Sequence, residues 1–122
     1  MKVEAHRRKA ERIGRSLAKC MPEDAELVID GAMLAITHWI NFTFHTLELT
    51  TPDDDIMHCY FVTGFDRQYY GLAADPLFLD ALEEIDDLRP LYVRGNAAGS
   101  DAAGVRALEL HEAVRDLALT LA

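Results

Sequence analysis

The sequence predicts an all-α domain, an antiparallel four- to five-helix up-and-down bundle, and three observations predict it. From Gly31 to Leu47 the chain runs 17 residues without an Asp, Glu, Lys or Arg, although 27% of its residues are charged. That stretch is apolar nearly all round, and a helix apolar on most faces is buried on most faces. Apolar residues elsewhere recur at helical spacings, most regularly at Ala103, Ala107, Leu110, Val114, Leu117 and Leu121. No segment alternates polar and apolar residues as a strand does, and Pro and Gly fall mostly between the periodic segments. Short links between helices make neighbours antiparallel.

The first helix is expected over residues 3–20, with Val3, Ala10, Ile13, Leu17 and Cys20 on one stripe and Arg8, Arg12, Arg15 and Lys19 on another. Met21-Pro22 ends it. Glu23, Asp24 and Glu26 then crowd the start of the second helix, where the helix dipole favours acid. This second helix is expected to reach about Leu49 and to form the centre of the bundle. Thr51-Pro52-Asp53-Asp54-Asp55 supplies a turn and a cap, so a third helix is expected from about Asp55 to Leu72. Asp75-Pro76 opens a fourth, whose Phe78, Ala81, Leu82, Ile85, Leu88 and Tyr92 share a face. Pro90 should kink or end it, because proline removes one helical hydrogen bond and crowds the preceding turn. Asn96 to Gly99 reads as a loop, and Ser100 as the cap of the last helix.

A chain of 122 residues forms one domain, here residues 1–122, able to bury roughly two-thirds of its unfolded surface. Its net charge of −9 is unevenly spread, since residues 1–19 hold seven Lys or Arg against two Asp or Glu. The remainder is strongly acidic, which argues against a general nucleic-acid coat. Nucleic acid is therefore not the favoured partner. Cys20 and Cys59 form no disulfide framework and read as reduced thiols in the cytoplasm. No secretory leader is expected before Cys20, and the polar residues of the central helix argue against a lipid span.

Three groups of residues are candidates for chemistry. His38, Asn41 and His45 make a polar stripe on the apolar helix, but the two histidines stand roughly 10 Å apart along its axis, too far to share one metal. They read either as buried groups bonded across the bundle or as part of a ligand pocket, with His58 beside them. A looser metal set is His45 with Glu48 one turn on, and His58 or Asp55 reaching over. No cofactor is otherwise expected. Arg89, Tyr92 and Arg94 bracket the Pro90 bend and could offer guanidinium forks to a small anionic ligand, although pairing with the chain's many acids is the simpler fate. The serines, Ser16 and Ser100, lie in no nucleophile motif, and Gly95 to Gly99 lacks the lysine of a phosphate loop.

Taken together, the charged first helix, the run from Ala35 to His45, the turn before Asp55 and His58, the Leu88, Arg89 and Tyr92 ending and the final packing helix resemble the HEPN family of helical nucleotide-binding domains. The resemblance covers most of the chain. It implies a helical bundle that commonly dimerises. In active relatives it implies a metal-independent ribonuclease with an arginine-to-histidine motif; in others, a non-catalytic module that binds nucleotides or a protein partner. The only formal match to the motif is Arg106 with His111. On a continuous helix these two lie roughly 140° apart, so a non-catalytic interaction module is the reading preferred here. A homodimer through the apolar second helix is expected, since a helix apolar on most faces is hard to cover with one thin layer of neighbours.

Overall fold

The longest apolar helix organises everything else. A computed structural model describes residues 1–122 and contains five α-helices and no strand. They are α1 (Val3–Leu17), α2 (Ala25–Thr46), α3 (Gly64–Ala73), α4 (Leu77–Leu88) and α5 (Ser100–Leu121). α2 packs against α1, α5 and α4, so 14 of its 22 residues are buried. The buried apolar side chains form one continuous cluster, with Trp39, Phe44, Phe78, Ile29, Ile36 and Ile40 among the largest. α2 has the length and hydropathy of a membrane span, and 67% of its most apolar window is buried inside the bundle, as in a core helix. One chain therefore covers this helix, and only Leu27 and Leu34 leave large apolar side chains exposed on it. The apolar surface of α2 is thus largely spent inside the chain.

Small residues let the helices approach closely. A Cβ on Gly104 would fall 2.2 Å from the Pro22 carbonyl oxygen, so α5 rests directly on the α1–α2 turn. α5 begins at Ser100, after Gly99 at φ +91°. The cap position is thus Gly99, one residue earlier than expected, because the chain enters through a left-handed turn that glycine adopts freely.

The expected helix from Asp55 to Leu72 is replaced by three pieces. α2 ends at Thr46, and Glu48 takes a left-handed conformation at φ 59° that turns the chain back. Residues 55–58 then run without helix, Cys59–Phe61 make one 3₁₀ turn, and α3 starts only at Gly64, capped by the Thr63 hydroxyl accepting from the Asp66 N–H. The reason is tertiary. Asn41 donates its Nδ2 to the Ile56 carbonyl at 2.7 Å and accepts the Ile56 N–H on Oδ1 at 2.7 Å. With both its backbone groups taken by α2, Ile56 has none left for a helix. α3 buries none of its own residues. At the Pro90 bend, α4 gives way to a single π-helical turn, Arg89–Val93, a wider turn that accommodates the missing donor and the ring.

Candidate metal centre

Three segments converge beside the C-terminal half of α2. α1 carries His6 on its buried face, α2 carries His38 and His45, and the extended segment after α2 delivers Asp55. Asn41 fixes that segment through Ile56, the residue after Asp55. The carboxylate oxygen Oδ1 of Asp55 lies 3.0 Å from His6 Nε2 and 2.8 Å from His45 Nε2. The other nitrogen of each ring is also held. His45 Nδ1 is 2.6 Å from the Thr50 hydroxyl, and His6 Nδ1 is 2.9 Å from His38 Nδ1. The Met1 amino group lies 3.0 Å from Asp55 Oδ2.

Burial and hydrogen bonding favour the neutral form of His6 and His38 and the charged form of Asp55. His6 and His45 are buried, while the Asp55 side chain is 27% exposed. Burial lowers the pKa of His6 against the opposing pull of Asp55. Burial, then the neighbouring His6, pushes His38 down to about 4. For Asp55 burial acts upward, but the hydrogen bonds from His45, His6 and the amino terminus prevail and hold it down to about 2. In the tautomer where Asp55 accepts from both Nε2–H groups, the Nδ1 of each ring is the acceptor. Thr50 then donates to His45, and His38 donates its Nδ1–H to His6. His6, His38 and Asp55 line a cavity of about 220 Å³ together with Met33, Met57 and His58.

Two imidazole nitrogens and one carboxylate oxygen make a donor set that a metal can use. Ligand atoms of His6, His45 and Asp55 all lie within 4.8 Å of one another. A cation replacing the two Nε2 protons would leave Nδ1–H donating to Thr50 on one ring and to His38 on the other. Such second partners fix the orientation of ligating histidines.

The expected site residues meet different fates. His38 and His45 do come together, through His6. Asn41 spends its amide on Ile56 and on the Thr37 carbonyl, so it positions the segment and brings no free amide group to the cavity it helps to line. His45, Glu48 and His58 do not form a metal set: Glu48 lies exposed beyond the helix end, and His58 Nδ1 faces Asp86 Oδ1 at 3.5 Å. Arg89, Tyr92 and Arg94 are remote from the cluster. Arg89 pairs with Asp30 at 2.9 Å, and Asp30 precedes His38 by eight residues, roughly 12 Å along α2. The Tyr92 hydroxyl donates to the Ala98 carbonyl, and Arg94 is exposed. Arg106 and His111 diverge as helix geometry requires. Arg106 forks onto Glu84 of α4, while His111 lies against Gly14 of α1. The two cannot act together within one chain.

His6 escaped the sequence reading because it sits in a run of cations, His6-Arg7-Arg8-Lys9. Its signal was nevertheless present. Positions 3, 6, 10, 13 and 17 follow the three-four spacing of a buried stripe, so His6 fills the place that Val3, Ala10, Ile13 and Leu17 leave open. The class defined here is an all-α bundle with a buried two-histidine, one-aspartate cluster. No protein-family model matches the chain, and neither does any curated protein or solved structure.

Proposed function

We propose that this protein binds one divalent transition metal through His6 Nε2, His45 Nε2 and the Asp55 carboxylate, with a further coordination position open toward the 220 Å³ cavity. The observation that carries the reading is the convergence of two buried imidazoles on one carboxylate, each ring held at its second nitrogen. Two nitrogens and one oxygen suit zinc, cobalt or ferrous iron; calcium and magnesium prefer oxygen alone. Three protein ligands leave room for water or an added molecule, which a closed four-ligand structural site does not. A reducing compartment such as the cytoplasm suits a chain whose two cysteines are free.

The test is cobalt and zinc titration of chelator-stripped protein, read by calorimetry and by the visible spectrum of bound cobalt. The wild type should take up one equivalent. His45→Ala and Asp55→Asn should each lose at least tenfold in affinity. Folded wild type that takes up neither metal stoichiometrically would overturn the reading.

A second reading, a HEPN-like interaction module that forms a homodimer, is favoured by a different surface. Met57, Tyr60, Phe61, Phe65 and Leu72 are 64–84% exposed, clustered in sequence around a helix that buries nothing. Such side chains present on the order of 700 Å², near the ~800 Å² that each partner of a standard interface buries. Light scattering after size exclusion should show a dimer for the wild type and a monomer for Phe65→Asp. A monomer at every wild-type concentration counts against it.

A further inference from the structure

The cavity of about 220 Å³ at the metal centre gathers two residue types that are scarce elsewhere. Met1, Met33 and Met57 meet there with His6, His38 and His58. The chain holds only four methionines and five histidines in 122 residues, yet six of the eleven residues around this one space are of these types. Core filling does not account for them. Methionine is a flexible filler of buried gaps, but Met57 is 64% exposed. Two of the imidazoles also keep a nitrogen uncommitted. His38 Nδ1 is held by His6 Nδ1 at 2.9 Å. His58 Nδ1 lies 3.5 Å from Asp86 Oδ1, and Tyr60 stacks on the His58 ring with 10° between the planes. Neither Nε2 takes part in a hydrogen bond, and neither belongs to the fully buried unpartnered atoms of the chain. Both therefore keep accessible surface. With the proton on Nδ1, each Nε2 presents a lone pair, and the contact at Nδ1 orients the ring as it does for ligating histidines. The one carboxylate in the lining, Asp55, is already engaged by His6 and His45. What the rest of the space offers a cation is neutral nitrogen and sulfur.

We propose that this cavity binds one monovalent copper ion through the thioethers of Met33 and Met57 and the Nε2 atoms of His38 and His58. Thioether sulfur is a soft donor that selects monovalent copper, and imidazole also suits copper. Neutral donors match a single positive charge better than the double charge of zinc or cobalt, which the Asp55 carboxylate serves. Methionine side chains are unbranched and flexible, so Met33 from α2 and Met57 from the segment after it can both close on an ion. The site goes beyond the divalent position proposed above and shares no ligand with it. The two are coupled all the same, through the contact between His6 and His38. A cation on His6 Nε2 leaves that ring donating from Nδ1 to His38 Nδ1, which puts the His38 proton on Nε2. A divalent ion in place thus removes one copper ligand.

The experiment uses the intact chain carrying Cys20→Ser, which removes the one thiol that is not buried and lies outside the cavity lining. The metal-free protein is titrated without oxygen into the coloured complex of monovalent copper with bicinchoninate, and the copper-loaded product is examined by X-ray absorption at the copper edge. The protein should withdraw one equivalent of copper, with both sulfur and nitrogen bonded to it. Met33→Leu combined with Met57→Leu should lower the copper affinity at least tenfold and remove the sulfur signal, while cobalt uptake stays unchanged. Leucine for methionine is among the best tolerated core exchanges, so this variant keeps the fold. His45→Ala should lose cobalt uptake and hold its copper affinity within twofold of the parent. Copper bound as expected by a parent chain that takes up no cobalt would support this proposal and sink the divalent reading alone. No withdrawal of copper, equal affinity in the parent and the double methionine variant, or loss of copper with His45→Ala would overturn the proposal.

Discussion

The pH dependence of stability should carry the signature of His111. Burial, then the charge of Arg115, lowers its pKa from 6.5 to about 4, with Asp116 pulling the other way. Glu11, Arg15 and Glu112 also border the cavities around it. A histidine with a lower pKa in the folded chain binds its proton more readily when unfolded. Its neutral form therefore contributes fully above pH 6.5, and stability falls as pH drops from 6.5 toward 4. A fall of about 2.5 in pKa corresponds to at most about 3.4 kcal/mol. The part lost between pH 7 and pH 5 is about 2 kcal/mol, a large share of a stability of ~5–15 kcal/mol. Urea unfolding of the wild type and of His111→Leu at the two pH values isolates this contribution, because other groups cancel in the double difference. The wild type should lose about 2 kcal/mol more than the variant on acidification. A double difference below about 0.5 kcal/mol, the ordinary scatter of additivity, would refute the argument that a buried neutral imidazole stands at this position.

Other perturbations have separate readouts. Asn41→Ala strands the part-buried N–H and carbonyl of Ile56 and should cost about 1–3 kcal/mol by chemical denaturation, with weaker cobalt uptake because Asp55 is no longer fixed. Gly104→Ala places a Cβ at 2.2 Å from the Pro22 oxygen. The neighbour is backbone and cannot rotate away, so a loss of about 1–3 kcal/mol or more is expected in thermal unfolding. Arg106→Ala removes only exposed ion pairs, with Glu84 and Glu109, and should change stability by less than about 1 kcal/mol, leaving metal uptake intact. A loss of uptake in that variant would mean that the two regions communicate.

The helices at the centre of the molecule were readable because their physics is local. An uncharged run such as Gly31 to Leu47 has few options other than burial, and the seam from Ala103 to Leu117 repeats at helical spacing whatever surrounds it. The region after α2 was not readable for the opposite reason. Asp53 to Asp55 followed by apolar residues looks like a capped helix, yet the backbone of Ile56 is claimed by Asn41, 15 residues away, and Asp55 by His6, 49 residues away. Contacts at such distances leave no periodic trace. The candidate site was half legible: His38 and His45 were visible as polar interruptions of an apolar helix. Asp55 appeared only as one option for reaching over, and His6 was hidden among cations. The apolar faces of α2, read in the sequence as a dimer surface, are covered by three helices of the same chain. The apolar surface left over lies instead between Met57 and Leu72.

The position of α2 at the hub also sets an order of events in time. Its last residue, Thr46, leaves the ribosome about 75 residues before Leu121 completes α5. At roughly 5–20 residues per second the gap is several seconds, much longer than a helix needs to form. Through that interval α1 can dock, but the faces of α2 that await α4 and α5 stay open to the surrounding solution. The nascent chain is thus obliged to expose its most apolar helix before its covering exists. Conditions that slow elongation through residues 77–121 should favour aggregation or chaperone capture over folding, even for a sequence whose finished bundle is stable.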